Sequence, residues 1–417
     1  MQRPIEVEEA LKAILERIEP CGEEQVDLWS ARGRVLSREV RARVDLPPFT
    51  SALRDGYALQ AASVTSARPE RPVCLRIGEE IPAGRWPRSS VGPQEAARIM
   101  TGGPLPAGAD AVVPFECARE GAGQVEVLVP AAPGDHLLRQ GEIFRCGQVV
   151  ARRGTVVDPG LVGLLASSGA VEVWVYARPR VGVLATGTEL AQPGQALRPG
   201  QIWASNLPAL CALVEECGCE PVPLGVAADE AAALREAIER ATGLDGLITT
   251  GGVSAGRYDL MEGVVRGLGL EILFHRVAMK PGAPTLVAAR GSWLLFALSG
   301  SPGAAYVSAL VLVVPALRKL RGEAEWRPVR LRAVLTAGLE RPVDAVSYLQ
   351  VRVAAEGGRL KAQPVKGTRR GRELGPAEAN GLVRLEPGRT PKAGEEVEVL
   401  LYALPFPSLA RGGEGGK

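Results

Sequence analysis

The spacing of apolar residues divides the chain into regions of different secondary structure. Near the N-terminus, apolar positions recur at intervals of three and four residues, which gives a helix one apolar face; they are Val7, Ala10, Leu11, Ile14, Leu15 and Ile18. From about residue 40 to residue 150, the apolar positions form short β-type runs between turns rich in glycine and proline. These runs predict one or two small β-rich modules.

Residues 180–320 carry a pattern in which apolar strands alternate with helices. Apolar strands are predicted at 180–186, 220–227 and 245–250. Because a long helical segment follows each of the first two, the pattern predicts a mostly parallel sheet with helices on both faces. Asn206 is placed to cap the first helix, and Asp229 is placed to open the second.

The predicted fold class is a multidomain α/β protein. Residues 326–405 return to short β-type runs, which predict a small C-terminal β-barrel or sandwich. We expect an elongated, partly helical N-terminal domain in two segments, a β-rich domain inserted between them, the α/β domain, the C-terminal β domain and a disordered tail. In that order they span 1–40 with 140–176, 41–139, 177–325, 326–405 and 406–417.

The composition is that of an ordinary globular protein whose charges nearly cancel. The 417 residues include 49 Lys and Arg against 47 Asp and Glu, and 46% are hydrophobic. This balance gives no support for general binding to nucleic acid or to a membrane surface. The longest mainly apolar run, 304–317, is shorter than the roughly 20 residues of a membrane span, and the charged N-terminus does not resemble a secretory leader. We therefore expect a soluble, cytoplasmic protein without nucleic-acid or membrane partners.

Histidine and cysteine do not indicate a transition-metal site. His136 and His275 are the two histidines, which are too few for a His-rich zinc or iron centre. The seven cysteines are scattered, and Cys217 and Cys219 lack the CxxC spacing of a metal or redox motif. We interpret these cysteines as small hydrophobic residues.

Three loops that follow apolar strands of the α/β region carry glycine and hydroxyl residues. They begin at Gly187, Gly251 and Ser299. In a doubly wound sheet, ligands bind beyond the carboxyl ends of the strands, where backbone N–H groups are free. None of the loops has the spacing of a Walker loop or of a dinucleotide site. Each loop alone is compatible with a simple turn, but together they predict an anion-binding crevice.

A series of longer motifs runs in order along the chain. They are Leu46–Phe49 with Asp55–Ala58, Met100–Pro106 with Gly108–Val113, Gly141 with Glu142, Thr186–Leu190, Ser205 with Asn206, Thr250–Gly256 with Asp259, and Met279–Gly282. In these motifs the chain resembles the MoeA family, the molybdopterin molybdenumtransferases, over about residues 5 to 400. The resemblance implies that residues 177–325 form a molybdopterin-binding-like α/β domain.

The resemblance also implies an activity. Such proteins cleave the pyrophosphate of adenylylated molybdopterin with a divalent metal such as Mg²⁺, insert molybdate at the dithiolene and release AMP. It implies a homodimer, with each site between the α/β domain of one subunit and the β module of the other. The molybdopterin adenylyltransferase and apo-molybdoenzymes are expected partners. Two alternatives remain: a catalytically impaired paralogue that binds molybdopterin, molybdate or pathway partners without turnover, and a phosphate-handling hydrolase, which leaves the flanking modules unexplained.

The resemblance assigns roles to individual residues. The expected catalytic residues are Asp55, Glu189, Asp259 and Lys280, of which the three carboxylates are also expected metal ligands. The expected substrate-binding residues are Thr101, Thr186, Gly251, Gly252, Ser254, Arg276, Ser299 and Gly300. Each catalytic residue also has an ordinary interpretation. Asp55 is then a turn residue, Glu189 serves a helix start, Asp259 is an N-cap and Lys280 is a solvated surface lysine.

The sequence departs from the family pattern at several positions around this site. Apolar or small residues replace polar ones at four of them, and glutamine replaces arginine at the fifth; the five are Leu138, Ile143, Ala283, Gly371 and Gln350. The losses of a cation at Leu138 and of a carboxylate at Ile143 remove charge from the expected site. The cationic run 366–372 offers a compensation, although a solvated loop also accounts for it.

Overall fold

The computed structural model describes residues 3–252, 258–365 and 378–403, without the side chains of residues 258 and 259. Four expectations therefore lie outside the described residues: the role of Ser254, the departure at Gly371, the cationic run 366–372 and the disordered tail 406–417. Asp259 is described only as part of a helix backbone.

The first part of the chain forms short strands around a six-stranded sheet. Its elements are helix α1 Val7–Leu15, strands β1 Glu23–Asp27, β2 Val40–Arg41, β3 Ser51–Ala52, β4 Gly56–Leu59, β5 Val73–Ile81, β6 Glu95–Ile99, β7 Ala111–Pro114, β8 Ala118–Gly121, β9 Gln124–Val127, β10 Leu137–Leu138 and β11 Val149–Ala151, helix α2 Pro159–Ser167 and strand β12 Glu172–Tyr176. The sheet has the order β7-β4-β6-β5-β9-β8. Strand β2 pairs with β11, β3 with β10 and β1 with β12, so segments on either side of the sheet lie together.

The α/β region contains the elements that position the predicted crevice. They are β13 Arg180–Thr186, β14 Leu190–Ala191, β15 Ile202–Trp203, α3 Asn206–Glu216, β16 Glu220–Ala227, α4 Ala231–Arg240, β17 Gly246–Thr250, α5 Tyr258–Gly267, β18 Glu271–His275, β19 Leu286–Arg290, β20 Trp293–Leu298, α6 Pro302–Ser308, a π-helical turn at Ala309–Val313 and α7 Val314–Leu320. The sheet order is β16-β13-β17-β20-β19-β18, and its first four strands pair in parallel.

Alternate residues of each central strand face opposite sides of this sheet. On β13, Val181 and Val183 belong to one core with helices α1, α3 and α7, whereas Leu184 belongs to the other core with α4 and α5. Full burial of a side chain of this size contributes roughly 1.5–3 kcal/mol. Both faces of the central strands are covered, which accounts for their nearly continuous apolar sequence.

The continuous helical stretch from α6 to α7 is longer than the apolar run 304–317, so the length of that run does not exclude a membrane span. Within the described residues, 302–320 form a 19-residue helix with a mean hydropathy of 1.5, long and apolar enough to pass the usual test. However, 67% of it is buried inside the protein. Packing against the α/β sheet accounts for its apolar composition.

The C-terminal region forms a closed five-stranded barrel. Its strands are β21 Val329–Leu335, β22 Ser347–Glu356, β23 Arg359–Pro364, β24 Gly381–Leu385 and β25 Glu396–Leu401, in the order β21-β23-β22-β24-β25. Buried and exposed residues alternate along β25, where Val397 and Val399 face the interior. The predicted fold class, α/β multidomain with β-rich N-terminal modules and a small C-terminal β-barrel, is confirmed.

The two predicted helix starts in the α/β region are wrong in detail. Helix α3 includes Asn206, its N-cap is Ser205, and no side-chain hydrogen bond caps it. Helix α4 begins at Ala231 after Glu230, two residues beyond Asp229. The side chains of Asn206 and Asp229 instead lie near the loops at the carboxyl end of the sheet.

Candidate active site

The crevice is located where the strand order reverses. Among the strands of this sheet, the one that comes after β13 in the chain is β16, which lies on one side of β13. The next is β17, which lies on the other side, and this arrangement opens a binding crevice in doubly wound sheets. Gly251 begins the loop after β17 with a φ of 97°. A β-carbon added to Gly251 would lie 2.1 Å from the carbonyl oxygen of Thr186. Only glycine therefore allows the ends of these two strands to approach so closely.

The loop at Ser299–Ser301 forms the third wall of the crevice. A β-carbon added to Gly300 would lie 3.4 Å from the Cα atom of Gly251, so the second and third loops are in contact. The Asn206 side-chain Nδ2 donates a hydrogen bond to the carbonyl oxygen of Gly300 over 2.9 Å. Helix α6 begins at Pro302 directly after this loop. The structure thus brings together the three predicted loops at Gly187, Gly251 and Ser299.

Two carboxylates lie at this junction. Glu189 is exposed and folds back over its own loop, since a β-carbon added to Gly187 would lie 2.7 Å from Glu189 Oε2. Asp229 is half-buried, and its Oδ1 lies 3.7 Å from the position of a β-carbon on Gly252. From the sequence pattern, Asp229 was expected only at a helix start, so its position beside this loop was not predicted.

The hydroxyl of Thr186 has a structural contact. The side chain is 2% exposed, and Oγ1 donates to the carbonyl oxygen of Thr250 over 3.2 Å, across the ends of β13 and β17. Ser299 Oγ accepts a hydrogen bond from the Ser301 backbone N–H over 3.3 Å. Gly251 is buried and its backbone N–H donates to the carbonyl oxygen of Leu298 over 3.1 Å, whereas Gly252 is half-buried, so Gly252 is the part of this turn that an anion can approach.

Asp55 and Thr101 form a second polar cluster, which lies on the six-stranded sheet. Asp55 Oδ1 accepts hydrogen bonds from the Thr101 backbone N–H over 2.7 Å and from Thr101 Oγ1 over 2.8 Å. The backbone N–H, and secondly the hydroxyl, lower the pKa of Asp55 below its ordinary value. Asp55 is exposed to solvent, so its carboxylate is ionised and accessible. The structure thus places these two predicted residues in direct contact.

Lys280 and Arg276 lie where the α/β region meets other parts of the chain. Lys280 Nζ contacts both oxygens of Asp344, at 2.9 and 2.7 Å, and its backbone pairs with the start of β22, through Val346 and Tyr348. Both side chains of this ion pair are exposed. Arg276 has a φ of 83°, and its backbone bonds to Ile5 and Thr285. The ion pair with Asp344 is a contact that sequence reasoning did not identify.

The positions that depart from the family pattern have different environments. Leu138 lies in β10, opposite Ser51, and is half-buried. Ile143 is 56% exposed, which is unusual for so large an apolar side chain, and its backbone N–H donates to the carbonyl of Leu46. Gln350 is buried within the barrel strand β22.

The carboxylate oxygens in the crevice fit a hard cation that is also coordinated by a bound substrate. Among the described residues, no group of three or more His, Cys, Asp or Glu side chains is arranged to hold a metal ion by itself. Glu189 and Asp229 supply carboxylate oxygens beside loops that can bind phosphate. Mg²⁺ is typically bound by one or two carboxylates together with substrate phosphates, so these residues are compatible with it.

Comparison with known families covers nearly the whole chain. Residues 5–169 match the MoeA N-terminal region (domain I and II), residues 182–319 a probable molybdopterin binding domain, and residues 332–402 the MoeA C-terminal region (domain IV). The fold therefore defines a multidomain protein built around a molybdopterin-binding-type α/β domain. The chain belongs to the MoeA family.

Individual relatives agree with this assignment. The molybdopterin molybdenumtransferase of Bacillus subtilis (strain 168) is 35% identical over 95% of this chain and 94% of its own length. Molybdopterin molybdenumtransferase 2 of Mycobacterium tuberculosis (strain H37Rv) is 39% identical over 81% of this chain and 84% of its own. The crystal structure of the molybdopterin biosynthesis moeA protein from Pyrococcus horikoshii OT3 superposes with a TM-score of 0.84 at 30% identity. It covers 96% of this chain and 100% of that one.

Proposed function

We propose that this protein inserts molybdate into adenylylated molybdopterin and releases AMP, in the biosynthesis of the molybdenum cofactor. The observation that carries the proposal is the convergence of three glycine-containing loops with Glu189 and Asp229 at the reversal of strand order. Relatives that match over most of the chain are named molybdopterin molybdenumtransferases. The family membership and the crevice together favour a transferase over a general phosphate-handling hydrolase.

In this proposal the loops bind the pyrophosphate of the substrate. The backbone N–H of Gly252, with Ser254, Ser299 and Gly300, holds its oxygens, as glycine-rich turns at strand ends do. Gly251, whose own N–H donates to the Leu298 carbonyl, allows the close approach of the chain that shapes this turn. Mg²⁺, when bound, would neutralise charge on the pyrophosphate and polarise its phosphorus–oxygen bond. Its protein ligands would be carboxylates of the set Asp55, Glu189, Asp229 and Asp259.

The cations have a separate proposed role. Lys280 and Arg276 bind phosphate or molybdate oxygens, as cationic side chains commonly do. The contact between Lys280 and Asp344 is exposed, and exposed ion pairs contribute roughly 0–1 kcal/mol. Lys280 can therefore exchange this partner for a substrate anion at little cost. Thr186 supports the crevice through its contact with Thr250.

We propose that the complete site forms between two subunits of a homodimer. Asp55 and Thr101 are carried by the six-stranded sheet, whereas Glu189 and Gly251 are carried by the α/β domain. A dimer in which the sheet of one subunit faces the crevice of the other would unite these halves. We also propose a cytoplasmic location, with the molybdopterin adenylyltransferase and apo-molybdoenzymes as partners.

Release of AMP from adenylylated molybdopterin by the purified protein tests the function. We expect release that requires both molybdate and Mg²⁺, and a product that reconstitutes an apo-molybdoenzyme. Tight binding of the substrate without release of AMP would contradict the proposal. It would indicate instead that the changes at Leu138 and Ile143 have left a binding protein without turnover.

The hydroxyl of Thr101 gives a prediction about pH. A lowered pKa keeps Asp55 ionised to more acidic pH than an ordinary aspartate. Thr101→Val removes the hydroxyl but keeps the backbone N–H, so the pKa of Asp55 rises part of the way towards its ordinary value. We expect the acid limb of the pH profile for AMP release to move to higher pH. Thr101→Ser, which retains the hydroxyl, should restore the wild-type limb, and an unmoved limb in Thr101→Val would exclude this role.

A further inference from the structure

Trp86 is an exposed aromatic residue beside the Asp55–Thr101 cluster. It lies in the connection between β5 and β6 and is 67% exposed. Its ring meets the ring of Phe49 edge to face, with centroids 5.5 Å apart and planes at 89°. This contact holds the indole against the module and leaves much of its surface open to solvent.

The backbone places this aromatic pair beside Thr101. The Met100 N–H donates to the carbonyl of Ile81, and a β-carbon added to Gly102 would lie 3.7 Å from the β-carbon of Ala83. Residues 81–83, which lead from β5 into the turn that carries Trp86, therefore lie against residues 100–102. On the other side, Thr50, which follows Phe49, accepts a hydrogen bond from the Leu105 N–H through its carbonyl.

Other exposed apolar residues flank the same segment. Leu53 is 49% exposed and Ile143 is 56% exposed. Leu53 is two residues from Asp55, and the Ile143 N–H donates to the carbonyl of Leu46, three residues before Phe49. Single exposed apolar residues are normal, whereas a group of them beside polar site residues indicates a binding surface. The replacement of charged residues by Leu138 and Ile143 makes this surface more apolar.

We propose that Trp86, supported by Phe49, binds a planar heteroaromatic ring of the substrate by stacking. The inference rests on the proposed function, because that substrate carries two such rings, a pterin and an adenine. A planar ring buries its apolar faces on the indole, while the attached phosphates reach the polar cluster at Asp55 and Thr101.

Binding measurements on the full-length protein test this proposal. Adenylylated molybdopterin, molybdopterin and AMP would each be titrated into the wild type and into Trp86→Ala, Trp86→Phe and Trp29→Ala. Trp29 is 95% exposed and serves as the matched control. Trp86→Ala should raise the Kd for adenylylated molybdopterin by roughly fivefold or more, the effect of losing one stacking contact. Trp86→Phe should retain most of the affinity, and Trp29→Ala should behave as the wild type.

Titrations with AMP and with molybdopterin identify which ring stacks on Trp86. Other outcomes of the same titrations overturn the proposal. A weaker interaction of Trp86→Ala with AMP assigns the indole to the adenine, and a weaker interaction with molybdopterin assigns it to the pterin. Unchanged affinity for all three ligands, or a change of oligomeric mass in Trp86→Ala, overturns the stacking role. If the wild type releases AMP while Trp86→Ala binds normally, only the stacking role fails. If the wild type binds through Trp86 but never releases AMP, only the transferase function fails.

Discussion

Asp55→Asn is expected to lower molybdate-dependent release of AMP by about 100-fold or more without affecting the fold. Asp55 Oδ1 accepts both hydrogen bonds from Thr101, and the side-chain oxygen of asparagine can accept the same two. The turn therefore survives the substitution, and the negative charge is the property that is lost. A carboxylate that holds a metal ion or orients a reacting group depends on that charge. Initial rates at saturating molybdate and Mg²⁺ measure the effect, and thermal unfolding checks the fold.

Asp27→Asn provides a matched control for this experiment. Asp27 is also exposed, and its Oδ1 also accepts a backbone N–H, from Ser30 over 2.8 Å. It lies on β1, outside both polar clusters. We expect Asp27→Asn to retain the wild-type rate. Equal rates in the two variants, or an unfolded Asp55→Asn protein, would show that Asp55 is only a turn residue.

Much of the architecture was predictable because burial constrains local sequence. The central strands of the α/β sheet are apolar on both faces since helices cover both of them, and the strands of the barrel alternate since only one face is buried. The three crevice loops were predictable for a related reason. Gly251 is required by the close approach of the Thr186 carbonyl, and that requirement leaves a visible mark in the sequence.

The contacts between distant segments were not predictable from these patterns. Asp229 and Gly252 are 23 positions apart and meet because β16 and β17 flank β13 in the sheet. An aspartate just before a helix is equally typical of an N-cap, so its sequence context alone gave the wrong assignment. Likewise Asn206 was taken for a cap, although its side chain holds the loop at Gly300. Side-chain direction, which depends on the tertiary structure, decided both cases.

The same limit applies to Lys280. A lysine before a proline and a glycine gives no indication of its partner, and Asp344 is 64 residues further along the chain. The pairing arises because the backbone at Lys280 bonds to Val346 and Tyr348 at the start of the barrel strand β22. This position therefore couples two modules, which the family resemblance alone did not indicate.

Gly251→Ala is expected to destabilise the protein by about 3 kcal/mol or more and to abolish substrate binding. Its β-carbon would lie 2.1 Å from the carbonyl oxygen of Thr186, inside the contact distance, and the positive φ would add backbone strain. Gly194→Ala separates these two effects, because Gly194 has a similar φ of 92° but no atom within 4 Å of its added β-carbon. It should cost only about 1–2 kcal/mol, the strain of a left-handed residue. Urea unfolding of both variants measures the difference, and equal losses of stability would mean that the close contact with the Thr186 carbonyl adds nothing to the strain of the positive φ.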